Sequence, residues 1–233
     1  MNFLSGQVLA FDKPYDWTSF QLVAKVRRLL TLRMDGVKIK VGHAGTLDPL
    51  ATGVMLVCTG RATKQIEQLQ AGVKEYEATL CLGATTASFD LEHSIDARYP
   101  YAHIRPAEIG PVLAQFEGDV QQVPPDFSAC KIQGQRAYHL ARKGRDVSLK
   151  AKPIRIHRLE LIECSLPVMK LRVTCSKGTY IRALARDIGQ ALGSGAHLTA
   201  LRRTRVGQYT LAECRTLPEF EQWLQHTPVE TDL

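Results

Sequence analysis

The sequence has 233 residues, of which 45% are hydrophobic and 23% are charged, as in an ordinary globular protein that buries a substantial core. No apolar run approaches the roughly 20 residues of a membrane-spanning helix, and the first residues lack the basic start and cleavage site of a secretory signal. We therefore expect a cytoplasmic protein that does not partner a membrane. Its formal net charge of +7 favours a phosphate-rich partner.

The first third of the chain predicts alternating strands and helices. The first strand ends at Pro14, and Thr18 or Ser19 can cap the helix that follows. The apolar stripe of this helix consists of Leu22, Val23, Val26, Leu29 and Leu30. The predicted elements are a strand at 7–14, this helix, a strand at 54–60, a helix at 62–70 and a strand at 74–83.

The remainder predicts a loop, an arm and further helices and strands. Residues 87–99 are polar and without periodicity, which predicts a loop. Pro106 suits the first turn of a helix that Gly118 stops, and residues 123–144 predict an extended basic arm with a short helix ending at Gly144. The later elements are strands at 154–163 and 168–175, a helix at 178–193, a strand at 198–211 and a helix at 217–225.

Strands and helices intermingle along the chain, and several connections between strands are short enough for antiparallel pairing. The sequence therefore predicts an α+β fold with a mixed, largely antiparallel central sheet flanked by helices. Neither repeats nor linkers rich in Gly, Ser or Pro divide the chain, so we expect one domain with an inserted arm.

The six cysteines are scattered, without a Cys-x-x-Cys pair and without a histidine at the spacing of a zinc ligand. This pattern predicts reduced, mostly buried thiols and no metal site.

The basic residues are concentrated in blocks. Residues 131–158 hold nine Lys or Arg and a single acid, Asp146, and a second cluster is Arg202, Arg203 and Arg205. Such blocks are typical of surfaces that bind phosphates. A solvated basic face is the alternative that charge alone leaves open.

One carboxylate, Asp48, stands in a run of small, apolar and hydroxyl residues, "VGHAGTLDPLATGVMLVCTG". The chain lacks the glycine motifs that bind nucleoside triphosphates and dinucleotides, and it lacks a Gly-x-Ser-x-Gly elbow, so we expect no nucleotide cofactor. Asp48 is left as the candidate for chemistry. An ordinary Asp-Pro turn is the alternative.

A third region, "CSKGTYIRALARDIG", places Tyr180 and Arg182 at the start of a helix. By itself, a tyrosine in such a place is more often a core aromatic, and an arginine is more often a surface cation. Together with Tyr76 and Tyr138, however, the basic blocks have the composition that nucleic-acid binding uses, with charge along the backbone and aromatic faces for unstacked bases. The residues alone thus predict an enzyme that contacts RNA or DNA.

These motifs resemble those of the TruB family of tRNA pseudouridine-55 synthases. The resemblance rests on "VLAFDKPYDWTS", "GHAGTLDPLATGVMLVCTGRATK", "KEYEATLCLG" and "CSKGTYIRALARDIGQALGSGAHLTALRRTRVG", and it extends from about residue 7 to 207. It implies that Asp48 breaks the glycosidic bond of a flipped uridine, whose base then rotates and rejoins the ribose through C5 without cofactor or metal. Attack on the sugar and removal of a ribose proton both remain open for Asp48.

The resemblance also implies roles for other residues. Arg182 would pair with Asp48, and Tyr76 would stack on the flipped base near the proton that leaves C5. The remaining pocket residues would be Tyr180 and Leu201, which line the base pocket, and His43, which fills the space that the nucleotide vacates. Lys13 matches a motif residue that is either structural or phosphate-contacting. The predicted contacts to the RNA backbone are Lys64, Arg142, Lys143, Arg145, Arg202, Arg203 and Arg205.

The arm at about 124–152 resembles the family's thumb, which closes over the T-loop of tRNA. We expect residues 1–233 to form the catalytic domain without the C-terminal PUA-type domain of many members, acting as a monomer on the T-arm. Two alternatives are a catalytically silent RNA-binding or RNA-folding protein and the same chemistry on another RNA.

Overall fold

The computed structural model describes residues 1–128, 130–132, 135–136 and 149–230, with the backbone alone at 131, 132, 135 and 136. These residues form two compact units. Unit 1 comprises Met1–Glu75 and Arg202–Leu233, and unit 2 comprises Tyr76–Leu201. In the described part of the chain no helix is long and apolar enough to cross a membrane.

The helices and strands of the described residues follow one another in mixed order, with two short 3-10 helices at Gly60–Gln65 and Leu211–Glu213. In chain order they are β1 Val8–Lys13, α1 Ser19–Arg33, β2 Val41–His43, β3 Ala51–Thr59, α2 Ile66–Ala71, β4 Lys74–Leu82, β5 Ala84–Thr86, β6 Ile95–Arg98, α3 Pro106–Ala114, β7 Gly118–Gln122, β8 Lys131–Ile132, β9 Gln135–Arg136, β10 Lys152–Ser165, β11 Val168–Cys175, α4 Ile181–Ala191, β12 Ala196–Val206, β13 Tyr209–Thr210 and α5 Leu217–His226.

Unit 1 is built around β3, which is buried over almost its whole length. On one side β3 pairs antiparallel with β1, in a register that places Val8 opposite Cys58 and Lys13 opposite Gly53. On the other side of β3 lies β12. The short strand β2 pairs antiparallel with β3, and the short strand β13 pairs antiparallel with β12. A strand covered on both faces explains why β3 reads as an unbroken apolar run.

Helix α1 begins where the sequence predicts. Thr18 is its N-cap: the Thr18 hydroxyl accepts from the Gln21 backbone, and the Gln21 side chain accepts from the Thr18 backbone in return. Four residues of the predicted stripe are buried, while Leu29 is half-buried. Helix α5 packs by its Phe220 ring, whose centroid lies 5.0 Å from that of Phe11 on β1.

Unit 2 has the strand order β12–β4–β11–β10–β7. Strands β10 and β11 form a long antiparallel hairpin, and β7 pairs antiparallel with the start of β10. Helix α4 buries Ile181, Leu184 and Ile188, as the sequence predicts, and Leu192 follows as its buried C-cap. The pairs β5–β6 and β8–β9 form small sheets of their own. The predicted α+β fold with a largely antiparallel sheet is confirmed.

Four local predictions were wrong. The predicted loop at 87–99 contains β6, whose mostly exposed residues give no alternating pattern. Helix α3 ends at Ala114 and not at Gly118, which instead begins β7, and the start of the predicted helix at 62–70 is a 3-10 helix. The predicted strand at 198–211 is instead the hairpin β12–β13, which turns at Gly207 with φ +57°. The helix predicted to end at Gly144 lies outside the described residues.

The space around Gly53 shows how closely the backbones of β3 and β12 approach each other. Its φ is +103°, and a Cβ atom there would lie 2.1 Å from the Arg203 carbonyl oxygen and 2.8 Å from the Arg203 nitrogen. Gly53→Ala should therefore lower the free energy of unfolding by about 2 kcal/mol or more. Chemical denaturation measures this. The control is Gly36→Ala, at φ +90° with open space around it, which should cost only about 1 kcal/mol. Equal losses would contradict the close approach.

Candidate active site

Asp48 lies in unit 1, in the turn between β2 and β3. We call residues 44–50 the Asp48 segment. The Asp48 carbonyl accepts from the Ala51 backbone at 3.1 Å, while Ala44 and Leu47 are buried in the unit. The Asp48 side chain is half-buried. The segment is therefore an anchored turn that presents one carboxylate.

Two side chains from β1 and α1 hold this turn. The Ser19 hydroxyl accepts from the Leu47 nitrogen at 2.9 Å and donates to the Leu47 oxygen at 3.0 Å. Lys13 is fully buried, and its ammonium donates to the carbonyls of Pro14, Trp17 and Pro49 at 2.9, 2.5 and 3.0 Å. Lys13 thus joins the end of β1 to the residue that follows Asp48.

Arg203 holds the same segment from β12. Its side chain is 1% exposed, and it donates to the carbonyls of Val54, Thr46 and Gly45 at 2.7, 3.3 and 3.2 Å. A guanidinium buried in this way presents no surface to an RNA phosphate. The predicted phosphate contact of Arg203 stays a prediction that this burial disfavours, whereas the hydrogen bonds of Arg203 support the Asp48 segment.

The two buried cations shape the electrostatics of unit 1. Burial lowers the pKa of Lys13 from 10.5 to about 8, opposed by attraction to Asp48 and reinforced by repulsion from Arg203. Lys13 therefore still carries its proton at pH 7. Burial and then the Arg203 charge lower the pKa of His43, so its imidazole is neutral near pH 7. The His43 Nδ1 atom is buried and has no hydrogen-bond partner among the described residues.

The other predicted pocket residues lie in unit 2. Tyr76 is buried on β4, and Leu201 is half-buried on β12. Tyr180 is the N-cap of α4. Its backbone nitrogen donates to the Gln122 side-chain oxygen at 2.8 Å, and its carbonyl accepts from the Gln122 amide at 3.1 Å.

Arg182 is 5% exposed and is held by groups that the sequence did not suggest. Its guanidinium donates to the carbonyls of Ser88 and Phe127 at 3.1 and 3.0 Å, and its Nε lies 3.7 Å from a carboxylate oxygen of Asp90. Ser88 and Asp90 are buried although they belong to a polar stretch. Only the tertiary structure distinguishes them from surface residues.

The structure thus brings Asp48, His43, Lys13 and Arg203 together in unit 1, and it places Arg182 and Tyr180 at the start of α4 in unit 2. The predicted ion pair of Asp48 with Arg182 stays a prediction.

The predicted phosphate contacts differ in their surroundings. Lys64 is exposed on a 3-10 helix. Arg202 is 41% exposed and lies 2.7 Å from the Asp12 carboxylate, and Arg205 lies 3.8 Å from Glu75. Arg142, Lys143 and Arg145 lie outside the described residues.

Two family models match adjoining parts of the chain, from residue 27 to residue 233. Residues 27–181 match the TruB family pseudouridylate synthase (N terminal domain), and residues 182–233 match the tRNA pseudouridylate synthase B C-terminal domain. The chain belongs to the TruB family of pseudouridylate synthases.

Known relatives agree with this membership. A protein of Phocaeicola vulgatus named tRNA pseudouridine synthase B is 60% identical over 99% of this chain and 98% of its own length. A protein of that name from Parabacteroides distasonis is 60% identical over 100% of this chain and 99% of its own length. A solved chain of a Cbf5-Nop10-Gar1 complex matches with a TM-score of 0.72 and 30% identity, over 95% of this chain. This chain spans about half of that solved chain, 55%. The predicted enzyme class, an isomerase, is confirmed.

Lys13 should make stability depend on alkaline pH. Between about pH 8 and 10.5 the unfolded state keeps this proton while the folded state loses it, so the Lys13 contribution to folding stability rises with pH. We expect wild type to gain unfolding free energy relative to Lys13→Met between pH 7.5 and 9.5. Denaturant titrations measure this, with Lys38→Met, an exposed lysine, as the control. A constant difference between wild type and Lys13→Met would contradict the depressed pKa.

Proposed function

We propose that this chain converts uridine 55 in the T-loop of tRNA to pseudouridine, with Asp48 as the catalytic carboxylate. The observation that carries the proposal is the anchored Asp48 segment, which presents one carboxylate beside the buried cations Lys13 and Arg203. Family membership and the names of the 60% identical bacterial proteins support the reaction and the substrate.

The chemistry asks three things of Asp48: a negative charge, a fixed position and access to the ribose. The ammonium of Lys13 attracts its negative charge, and the hydrogen bonds to Leu47 and Pro49 fix the backbone on both sides of it. In our proposal the carboxylate breaks the glycosidic bond, either by attack on the sugar or by removing a ribose proton. The freed base turns and its C5 bonds to C1′ of the ribose, which restores Asp48 as a free carboxylate. The C5 proton then leaves and N1, which has lost its bond to the ribose, gains a proton, so the product is an isomer of uridine.

The remaining pocket residues would bind and orient the flipped nucleotide. We propose that Tyr76 stacks on the base and takes part in removing the C5 proton, and that Tyr180 and Leu201 line the pocket. Arg182 would pair with Asp48, its guanidinium oriented by Ser88, Phe127 and Asp90. His43 would fill the vacated space, and a neutral imidazole can do so without adding a buried charge.

Binding of the RNA backbone is proposed for six cations. These are Lys64, Arg202 and Arg205, together with Arg142, Lys143 and Arg145 in the arm at about 124–152. We further propose that the arm acts as a thumb over the T-arm of tRNA and that the enzyme works as a cytoplasmic monomer. The lack of a PUA-type domain stays a prediction.

The function itself is tested by mapping pseudouridine in bulk tRNA from cells with and without this protein. We expect the modification at position 55 to disappear from tRNAs when the protein is removed and to return with the wild-type gene. Unchanged modification at position 55 would refute the proposed substrate. Loss confined to another RNA would assign the same chemistry to that RNA.

Asp48→Asn should abolish chemistry and preserve binding, because the amide keeps the shape of the carboxylate and loses its charge. We expect pseudouridine formation on a T-arm stem-loop to fall by more than about 100-fold, with gel-shift affinity little changed. Asp35→Asn, a change of an exposed aspartate, serves as the control. Activity within about tenfold of wild type would refute the assignment of Asp48. Such retained activity would mean that another group performs the catalysis and that the protein is not a catalytically silent RNA-binding protein.

Tyr76→Phe separates stacking from proton removal. The phenylalanine keeps the aromatic face, which contributes about 1–3 kcal/mol per stacked base, so RNA affinity should be preserved. Turnover should fall by about 100-fold or more, because the hydroxyl is lost. Tyr76→Leu should lose affinity as well as turnover. Wild-type turnover of Tyr76→Phe would leave Tyr76 as a stacking platform and require another base.

A further inference from the structure

Two residues near opposite ends of the arm, Cys130 and Lys152, contact each other through the Cys130 sulfur. Cys130 lies near the start of the arm and is 7% exposed. Lys152, at the first residue of β10, lies where the arm ends, and its ammonium donates to the Cys130 sulfur at 3.4 Å. A thiol–ammonium contact therefore joins two described residues, Cys130 and Lys152, near the two ends of the arm in unit 2.

The same sulfur contacts Tyr180. A hydrogen bond of 3.2 Å joins the Cys130 Sγ to the Tyr180 hydroxyl. At the other end of Tyr180, the buried side chain of Gln122 binds both the backbone nitrogen and the carbonyl. Tyr180 is thus held at its backbone and at the tip of its ring by two residues, Gln122 and Cys130, that precede and begin the arm.

The surroundings make this thiol a better hydrogen-bond acceptor than an ordinary buried cysteine. Burial raises the pKa of Cys130, but the hydrogen bond from Tyr180 and the charge of Lys152 are among the effects that outweigh it, and the pKa is held below its ordinary value. An ammonium beside the sulfur stabilises negative charge on it, so the sulfur accepts more strongly from a phenol.

We propose that Cys130, held by Lys152, is a positioning residue that fixes the ring of Tyr180 and so the shape of the nucleobase pocket. This rests on the proposed function, in which Tyr180 lines that pocket. A phenol ring turns about its Cα–Cβ and Cβ–Cγ bonds, and a hydrogen bond at the hydroxyl restrains both rotations. The Cys130 contact therefore holds the ring in one orientation.

A double-mutant cycle tests the coupling. The variants are Cys130→Ala, Tyr180→Phe and the double variant, each assayed for kcat and KM on a T-arm stem-loop and for unfolding free energy. Cys130→Ala should lower kcat by about three- to tenfold, the range that the loss of one hydrogen bond gives, with KM changed less. In the Tyr180→Phe background the same change should have no further effect on kcat. Cys130→Ser, which keeps a shorter polar group, should recover part of the rate.

Cys164→Ala, a change of a half-exposed thiol on β10, is the matched control and should behave as wild type. Multiplicative effects of the two single changes on kcat would overturn the proposal, because Cys130 would then act independently of the Tyr180 hydroxyl. A loss confined to unfolding free energy would also overturn it, since that is the result of a purely structural cysteine. If wild type forms no pseudouridine in any tRNA, the proposed function fails instead, and the coupling in unfolding free energy still reports whether the contact exists.

Discussion

A buried guanidinium is the interaction on which the architecture around Asp48 depends. Arg203 donates to the carbonyls of Gly45, Thr46 and Val54, and no other side chain can span three acceptors with one planar, permanently charged group. Each carbonyl left unpaired by its removal would cost about 1–3 kcal/mol. The turn that carries Asp48 therefore owes its shape to a cation on another strand.

This arrangement constrains the neighbouring residues. Strand β12 must approach β3 so closely that Gly53 has no room for a side chain against the Arg203 backbone. A second buried cation, Lys13, completes the support from β1, and the repulsion between the two cations contributes to the depressed pKa of Lys13. Two carboxylates, Asp48 and then Asp16, attract Lys13. Two cations that have lost most of their hydration are thereby held beside the proposed catalytic group, where their fields are stronger than in water.

Elements with a strong local signal were predictable from the sequence. Helix α1 has a capping residue and an apolar stripe, and β3 is a short apolar run, so both were found. Strand β6 was missed because neither of its faces is covered, and alternation arises only when one face is buried. The TruB motifs gave the family because they span most of the chain.

The candidate site was predictable in part. Charge clustering grouped Arg203 with Arg202, although successive residues of a strand point to opposite faces, and here Arg203 faces inward while Arg202 stays half-exposed beside Asp12. The alternation was available in the sequence, but which face is buried depends on β3 and the Asp48 segment. Asp90, similarly, is a buried partner of Arg182 only because the chain folds back onto α4.

The role of Arg203 as a support of the Asp48 segment is tested most directly by Arg203→Lys. Lysine keeps the charge but cannot reach three carbonyls, so we expect a lower melting temperature and a lower kcat at saturating tRNA. The affinity for tRNA and its dependence on salt should stay as in wild type, whereas Arg202→Gln, at a half-exposed position, should weaken both. Arg203→Lys with wild-type stability and wild-type kcat would contradict the account, because a phosphate contact tolerates lysine whereas three buried carbonyls require the guanidinium.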